Sequence, residues 1–175
     1  MTNSPPTPAF PPGTWSITPE TTVTLTVRKL KFITVTATLR LIDGSVTIGP
    51  DGTPSAVSAS VDAASFASGN PKRDNHVASE DFLDSEAFPL ITFEANELEA
   101  TASQAHVTGT VTVKDASSPL LITVTDIAVD EDSASLRATA VVDRNALGVG
   151  AYPSVVISSE VAVAVHAHLV AEEAP

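Results

Sequence analysis

The 175-residue chain predicts an all-β fold: an antiparallel barrel of about eight strands with one short helical insert. Three observations carry this. Apolar and hydroxyl side chains alternate along most of the chain, the period-2 signature of half-buried antiparallel strands. Clusters of Gly, Pro and Asp punctuate the alternation, as turns require. A single stretch of dense mixed charge, Gly69 to Phe93, interrupts the pattern once.

The elements follow in order. Pro5, Pro6, Pro8, Pro11 and Pro12 crowd the first dozen residues, so residues 1–12 read as a flexible or polyproline arm. The barrel is expected over 13–169, and 170–175 as a short tail. Val23, Leu25 and Val27 alternate with threonines, and Val35, Ala37 and Leu39 do the same. Asp43-Gly44 and the run Gly49 to Pro54 read as turns. Val57, Ala59 and Val61 alternate with serines, and Val107, Val111 and Val113 with threonines around Gly109. Ala138, Ala140 and Val142 form another row, and Val161, Val163 and Val165 a last one. Windows near Leu90–Ala95 and Leu120–Val124 complete the set. No internal repeat is visible.

Composition narrows the function classes. Twenty-one acids against nine bases give a formal charge of −12. That argues against nucleic acid, which needs clustered Lys and Arg, and against docking on anionic lipid by a basic patch. The chain has no cysteine, so thiolate chemistry and disulfides are excluded. The first residues carry no basic and apolar leader pattern and no span is long enough for a membrane helix, so the expectation is a cytoplasmic protein without stable membrane insertion. A homodimer stays open.

The inward rows are unusual in being small. Val, Ala and Leu dominate, with six Phe, one Trp and one Tyr in the chain. An eight-stranded barrel has an interior that side chains can just fill or that holds one ligand. The interior is therefore either flattened or occupied.

Within the charged stretch, Asn70-Pro71 is a helix start, with a capping side chain followed by Pro at the first helical position. A helix from Pro71 to about Ser79 places Arg73, His76 and Val77 along one side. Arg73, Asp74, His76, Asp81 and Asp84 could be an acid–base cluster, but no nucleophile motif accompanies them. An ion-paired lid that orders the barrel mouth is the preferred reading, with Arg73 paired to Asp62, Asp81 or Asp84. His166 and His168 share a face of the last strand, opposite in parity to the Val161 row, and read as surface histidines rather than metal ligands. His106 has no visible partner. Arg144, at a strand end, reads as structural. No catalytic residue and no metal site are assigned.

Taken together these residues resemble the YceI-like family, the polyisoprenoid-binding, lipocalin-like proteins of bacteria. The resemblance runs from Trp15 to about Val165. It begins with Trp15-Ser16-Ile17, then Val23, Leu25, Val27 and Arg28. It is most specific at Val61-Asp62-Ala63-Ala64-Ser65, Gly69-Asn70, Lys72-Arg73-Asp74 and His76. Asp81-Phe82, Asp84 and Phe88-Pro89 with Ile91-Thr92-Phe93 follow in order, then Thr108-Gly109, Val111-Thr112-Val113, Pro119, Asp143-Arg144 and Leu147-Gly148. Four departures stand out. Thr21-Thr22 replaces the family's His-Ser pair, Lys29 a His, and Ala37 a Gly, and the segment after Gly148 is short.

The resemblance implies a lipocalin-like barrel whose apolar tunnel holds a polyprenyl chain, such as an isoprenoid quinone or polyprenol derivative, with no other cofactor. The lining expected for it is Leu25, Val27, Phe32, Val35, Val61, Phe66, Phe93, Val111, Val113 and Val142. The residues expected at the mouth are Asn70, Arg73, Asp74, His76, Asp81, Asp84 and Arg144. The rival reading is a barrel enzyme that cyclises or isomerises a hydrophobic substrate.

Overall fold

The structure, a computed structural model, describes residues 10–100, 104–150 and 156–172. Nine strands and one helix make it up: β1 (Gly13–Ile17), β2 (Thr22–Lys29), β3 (Ile33–Ile48), β4 (Pro54–Ala67), α1 (Pro71–Ala78), β5 (Leu90–Ala100), β6 (Ala105–Val113), β7 (Ala116–Val129), β8 (Ser133–Asp143) and β9 (Ile157–Ala171). All pairings are antiparallel. The ladder runs β3–β2–β9–β8–β7–β6–β5–β4 and returns to β3, so eight strands close a barrel.

The ninth strand is half of a broken stave. Both β1 and β2 lie between β3 and β9. Trp15 sits opposite Val46 and Ala171, and Val23 sits opposite Leu39 and Val165. Thr18–Thr21 makes the break. Thr18 N donates to His168 O at 2.7 Å, and the Thr21 hydroxyl accepts from His168 N at 3.0 Å. Thr21 is thus buried and ties the broken stave to β9.

Long strands must bend to close so small a barrel, and bulges supply the bend. Register shifts fall between Leu41 and Asp43 in β3, Ala95 and Glu97 in β5, and Thr125 and Ala128 in β7. The first corrects an expectation. Asp43-Gly44 is no turn; β3 runs straight through it. Gly44 is needed there because a Cβ would come within 2.8 Å of Ile17 Cδ1. A dipeptide that usually turns a hairpin here lets β1 cross close over a bulged strand. The run Gly49–Pro54 does form a turn, with Gly49 N donating to Thr53 O.

The two barrel ends differ. At the bottom, Trp15, Ile48, Ala134, Ala167 and Leu169 form a buried plug. The Trp15 indole N–H donates to Pro11 O at 3.0 Å, and the Phe10 ring meets it edge-on at 5.3 Å. Residues 10–12 of the expected arm therefore fold back under the barrel, while 1–9 lie outside the described residues. The ladder also continues past 169, with Ala171 N donating to Asp132 O and Glu172 N to Thr14 O.

At the top stand the β2–β3 and β6–β7 hairpins, the α1 insert between β4 and β5, and the β8–β9 connection. The helix is the single one among the described residues and ends one residue before the expected Ser79. Asn70 caps it, its side chain accepting from Arg73 N at 3.2 Å. None of its own residues is buried. Phe82 and Leu83, just after it, are buried and anchor the insert.

Candidate functional site

Inside the barrel is a cavity of about 560 Å³. It runs from the bottom plug, where Phe10, Ile17, Ile48 and Leu169 line it, to the top, where Lys29, Arg73, His76, Val77, Phe82 and Arg144 do. Between these ends the wall is almost wholly hydrocarbon, because every strand presents alternate residues inward. The rows read from the sequence supply it: Val57, Ala59 and Val61 from β4, and Val161, Val163 and Val165 from β9.

Of the ten lining residues expected, Leu25, Val27, Val35, Val61, Phe66, Phe93, Val111, Val113 and Val142 line the cavity. Phe32 does not. It is the last residue of the β2–β3 turn and is 92% exposed. Between Lys29 and Ile33 the chain leaves the ladder, so strand parity no longer governs where its side chains point.

Gly109 explains a gap in the Val107–Val111 row. A Cβ there would lie 2.7 Å from Phe93 Cζ and 2.4 Å from Glu94 O. The Phe93 ring therefore lies against the β6 backbone and fills the space a side chain would take. Sequence reasoning missed the caps of the cavity, Phe10, Val77, Phe82, Leu83 and Leu147. The apolar pair Phe82-Leu83 inside a charged stretch is the signal that could have found two of them.

The charged residues at the mouth contact different parts of the insert and of β4. Asp74 accepts from Ser68 N at 3.0 Å and Ser68 Oγ at 2.6 Å, tying the helix to the end of β4. His76 Nε2 lies 3.0 Å from Asp81 Oδ2, and the ring packs edge-on against Phe82 at 5.1 Å. Asp84 acts through its backbone, with φ of 45° and its carbonyl accepting from Phe88 N at 2.8 Å.

Arg73 makes no ion pair among the described residues, against expectation. Asp62 is taken by Arg40, its register partner across β3 and β4, at 2.6 Å. Asp81 is taken by His76. The Arg73 guanidinium has a contact with Ser68 Oγ at 3.5 Å and lines the upper cavity. A short helix places it over the mouth rather than against the wall where Asp62 lies.

Arg144 is the buried cation, 4% exposed. It donates to backbone carbonyls: Nε to Ser158 O at 2.9 Å, Nη1 to Val149 O at 3.1 Å and Nη2 to Ile157 O at 2.6 Å. Burial pushes its pKa below the ordinary range, and Asp143 pulls the other way. Its planar fork pins the segment after β8 to the start of β9. Leu147 in that segment is buried in a cluster with Ala63, Leu83, Val111 and Val113.

The rings of His166 and His168 have centroids 5.1 Å apart and are tilted 37° to each other, with His166 on the exposed face. Among the described residues no three His, Cys, Asp or Glu side chains gather as metal ligands would. His106 lies within β6, and its Nδ1 is buried without a hydrogen-bond partner among the described residues. No described helix is long and apolar enough to cross a membrane.

A closed antiparallel barrel around one large apolar cavity, with a few polar groups at one end, defines a lipocalin-like binding barrel. Comparison with known families makes this specific: a YceI-like domain model matches residues 15–169, and the chain belongs to that family. No curated protein sequence matches it. Among solved structures, Burkholderia cenocepacia BcnA superposes with a TM-score of 0.76 at 20% identity, covering 85% of this chain and 96% of that one. The Campylobacter jejuni YceI protein gives 0.68 at 17%, covering 76% and 84%. A polyisoprenoid-binding domain from Saccharophagus degradans, implicated in plant cell wall breakdown, gives 0.67 at 11%, covering 90% and 98%. At these identities the likeness is one of fold.

Proposed function

We propose that the chain binds an isoprenoid-type lipid in its barrel and sequesters or carries it, without catalysing a reaction. The observation that carries this is the cavity itself. Its 560 Å³ falls within the roughly 300–1,000 Å³ of sites that take whole small molecules. Left dry and empty, it would cost on the order of 13 kcal/mol if scaled from about 24 cal/mol per Å³. That is as large as the whole stability of an ordinary domain, about 5–15 kcal/mol. An apolar guest removes the penalty and gains about 0.8 kcal/mol for each methylene leaving water. A branched polyprenyl chain suits a wall of Val, Leu and Ala because it needs no directed polar contact along its length. The polyisoprenoid binding of the Saccharophagus domain supports the same ligand class.

Native mass spectrometry of the purified chain, followed by organic extraction, tests the proposal. A co-purified polyprenyl lipid is the expected result. A chain that carries no lipid and takes up no added polyprenol would sink it. Conversion of an added polyprenyl substrate to a product of altered structure would move the assignment to the cyclase or isomerase reading. Cytoplasmic residence stays part of the proposal, and fractionation of cells making the untagged chain reads it directly.

A further inference from the structure

We infer that the β2–β3 hairpin tip is a docking element for the surface of an anionic lipid bilayer, placing the cavity mouth against the membrane. The tip reads Arg28-Lys29-Leu30-Lys31-Phe32-Ile33. Its apolar side chains point into solvent: Phe32 is 92% exposed, and Leu30 and Ile33 are each 49% exposed. These are three of the largest exposed apolar side chains, and they are consecutive but for one lysine. Three of the chain's nine bases lie beside them: Arg28 and Lys29 precede Leu30, and Lys31 separates Leu30 from Phe32. An aromatic ring flanked by basic side chains is the composition that sits at a headgroup boundary, the ring in the acyl edge and the cations among phosphates.

The backbone adds an independent observation. Leu30 and Lys31 hold φ of 52° and 65°, the left-handed region that glycine or asparagine normally fills at such a turn. A bulky apolar and a basic side chain occupy strained positions there, both on the exposed tip. Strain kept at an exposed tip points to use rather than to folding.

Position supplies the third. The hairpin stands at the top with the α1 insert. Lys29 and Val27 from the hairpin line the upper cavity together with Arg73, His76 and Val77 from the helix. The β3–β4 ladder ends at Thr38 opposite Ala67, leaving Ile33–Ala37 without a β4 partner. Among the strands, α1 packs on β4 alone. Among the described residues, the side of the mouth between hairpin and helix is thus uncovered by secondary structure, next to the proposed docking tip.

The net charge of −12 does not forbid this, because the charge is unevenly spread. Arg28, Lys29 and Lys31 in the hairpin, Lys72 and Arg73 in the helix, Lys114, and Arg144 all lie at the top, seven of the nine bases. The bottom turns carry Asp51 and the run Asp130-Glu131-Asp132, with Glu172 beside them. Over the roughly 8 Å that charges reach at physiological salt, a bilayer meeting the tip feels the hairpin's three cations and not the far end. The insert's acids share the rim, so the tip itself makes the contact.

The carrier reading supplies the purpose of docking but not its test. Cosedimentation of the purified chain with phosphatidylcholine vesicles, with and without phosphatidylglycerol, is read whether or not the cavity holds lipid. The wild-type chain is expected to pellet with the anionic vesicles and to be released by salt. The double variant R28Q/K31Q and the single variant F32S should each weaken binding about tenfold or more, with unchanged melting temperature. A separate variant, Phe32→Trp, should show a blue-shifted emission on adding the same vesicles. Wild-type chain left in the supernatant, or F32S binding as wild type, would overturn the inference. So would a dimer that F32S dissociates while vesicles leave the wild type unbound, which would make the tip a contact between copies of the chain.

Discussion

Arg73 and Asp74 are neighbours with opposite fates. Asp74 accepts two hydrogen bonds from Ser68 and so fastens the helix to β4. Arg73 meets the same Ser68 hydroxyl only at 3.5 Å, the limit of a hydrogen bond, and has no acid partner among the described residues. Asp74→Ala should therefore cost about 1–3 kcal/mol, and Arg73→Ala less than about 0.5 kcal/mol, in urea unfolding monitored by circular dichroism. A large loss in Arg73→Ala would mean that the guanidinium holds the insert after all. Gly109 makes the same kind of distinction by packing. Gly109→Ala drives a methyl into Phe93 and the Glu94 carbonyl, and backbone on one side leaves little room to relax. The expected loss is about 1–3 kcal/mol. Gly69→Ala, with nothing within 4 Å of the added Cβ but a φ of 82°, should cost only the backbone strain, about 1 kcal/mol.

At the scale of the element, the α1 insert shows what a sequence can and cannot reveal. Its start was legible because Asn70-Pro71 is chemistry internal to the segment: a side chain that caps an amide, then a ring that needs no amide bond. An eight-residue helix cannot stand alone, so the cap and the Phe82-Leu83 anchor must hold it. Asn70→Ala should cost about 1 kcal/mol and speed proteolytic cutting within 71–88 before it alters the barrel's melting. Cleavage at the wild-type rate would show that the anchor alone suffices. The partners of Arg73 were not legible, because they depend on cross-strand register. Arg40 reaches Asp62 only because a bulge in β3 sets them opposite each other. Phe32 was misplaced for a related reason. Alternation identifies an inward residue only within a ladder, and the three residues of this turn lie outside one. Asp43-Gly44 misled in the opposite direction, because the demand for a small residue came from Ile17, more than twenty residues earlier in the chain.

For the whole molecule, the barrel was readable because closure repeats one rule eight times, and each inward row states it independently. The cavity was only half readable. Small inward residues fit a flattened interior as well as a hollow one, and the choice rests on how widely β-bulges and the Phe10–Trp15 plug hold the staves apart. The decisive experiment fills the space. Val61 is half-buried, lines the cavity, and lies opposite Leu41 and Ile91 in its two ladders, where the wall faces open volume. Val111 is less suitable, being buried directly opposite the Phe93 ring. In a hollow barrel, Val61→Trp should fold with its circular dichroism unchanged and purify without lipid. Added polyprenol should raise the melting temperature of the delipidated wild type, as a ligand at about a hundred times its dissociation constant contributes about 2.7 kcal/mol. It should leave the variant's melting temperature where it was. In a packed barrel the same indole would have nowhere to go, and strain of about 1–3 kcal/mol or more would appear as a lowered melting temperature in the absence of any lipid. A folded variant that still gained stability from polyprenol would place the binding site outside the barrel and defeat the carrier reading at its root.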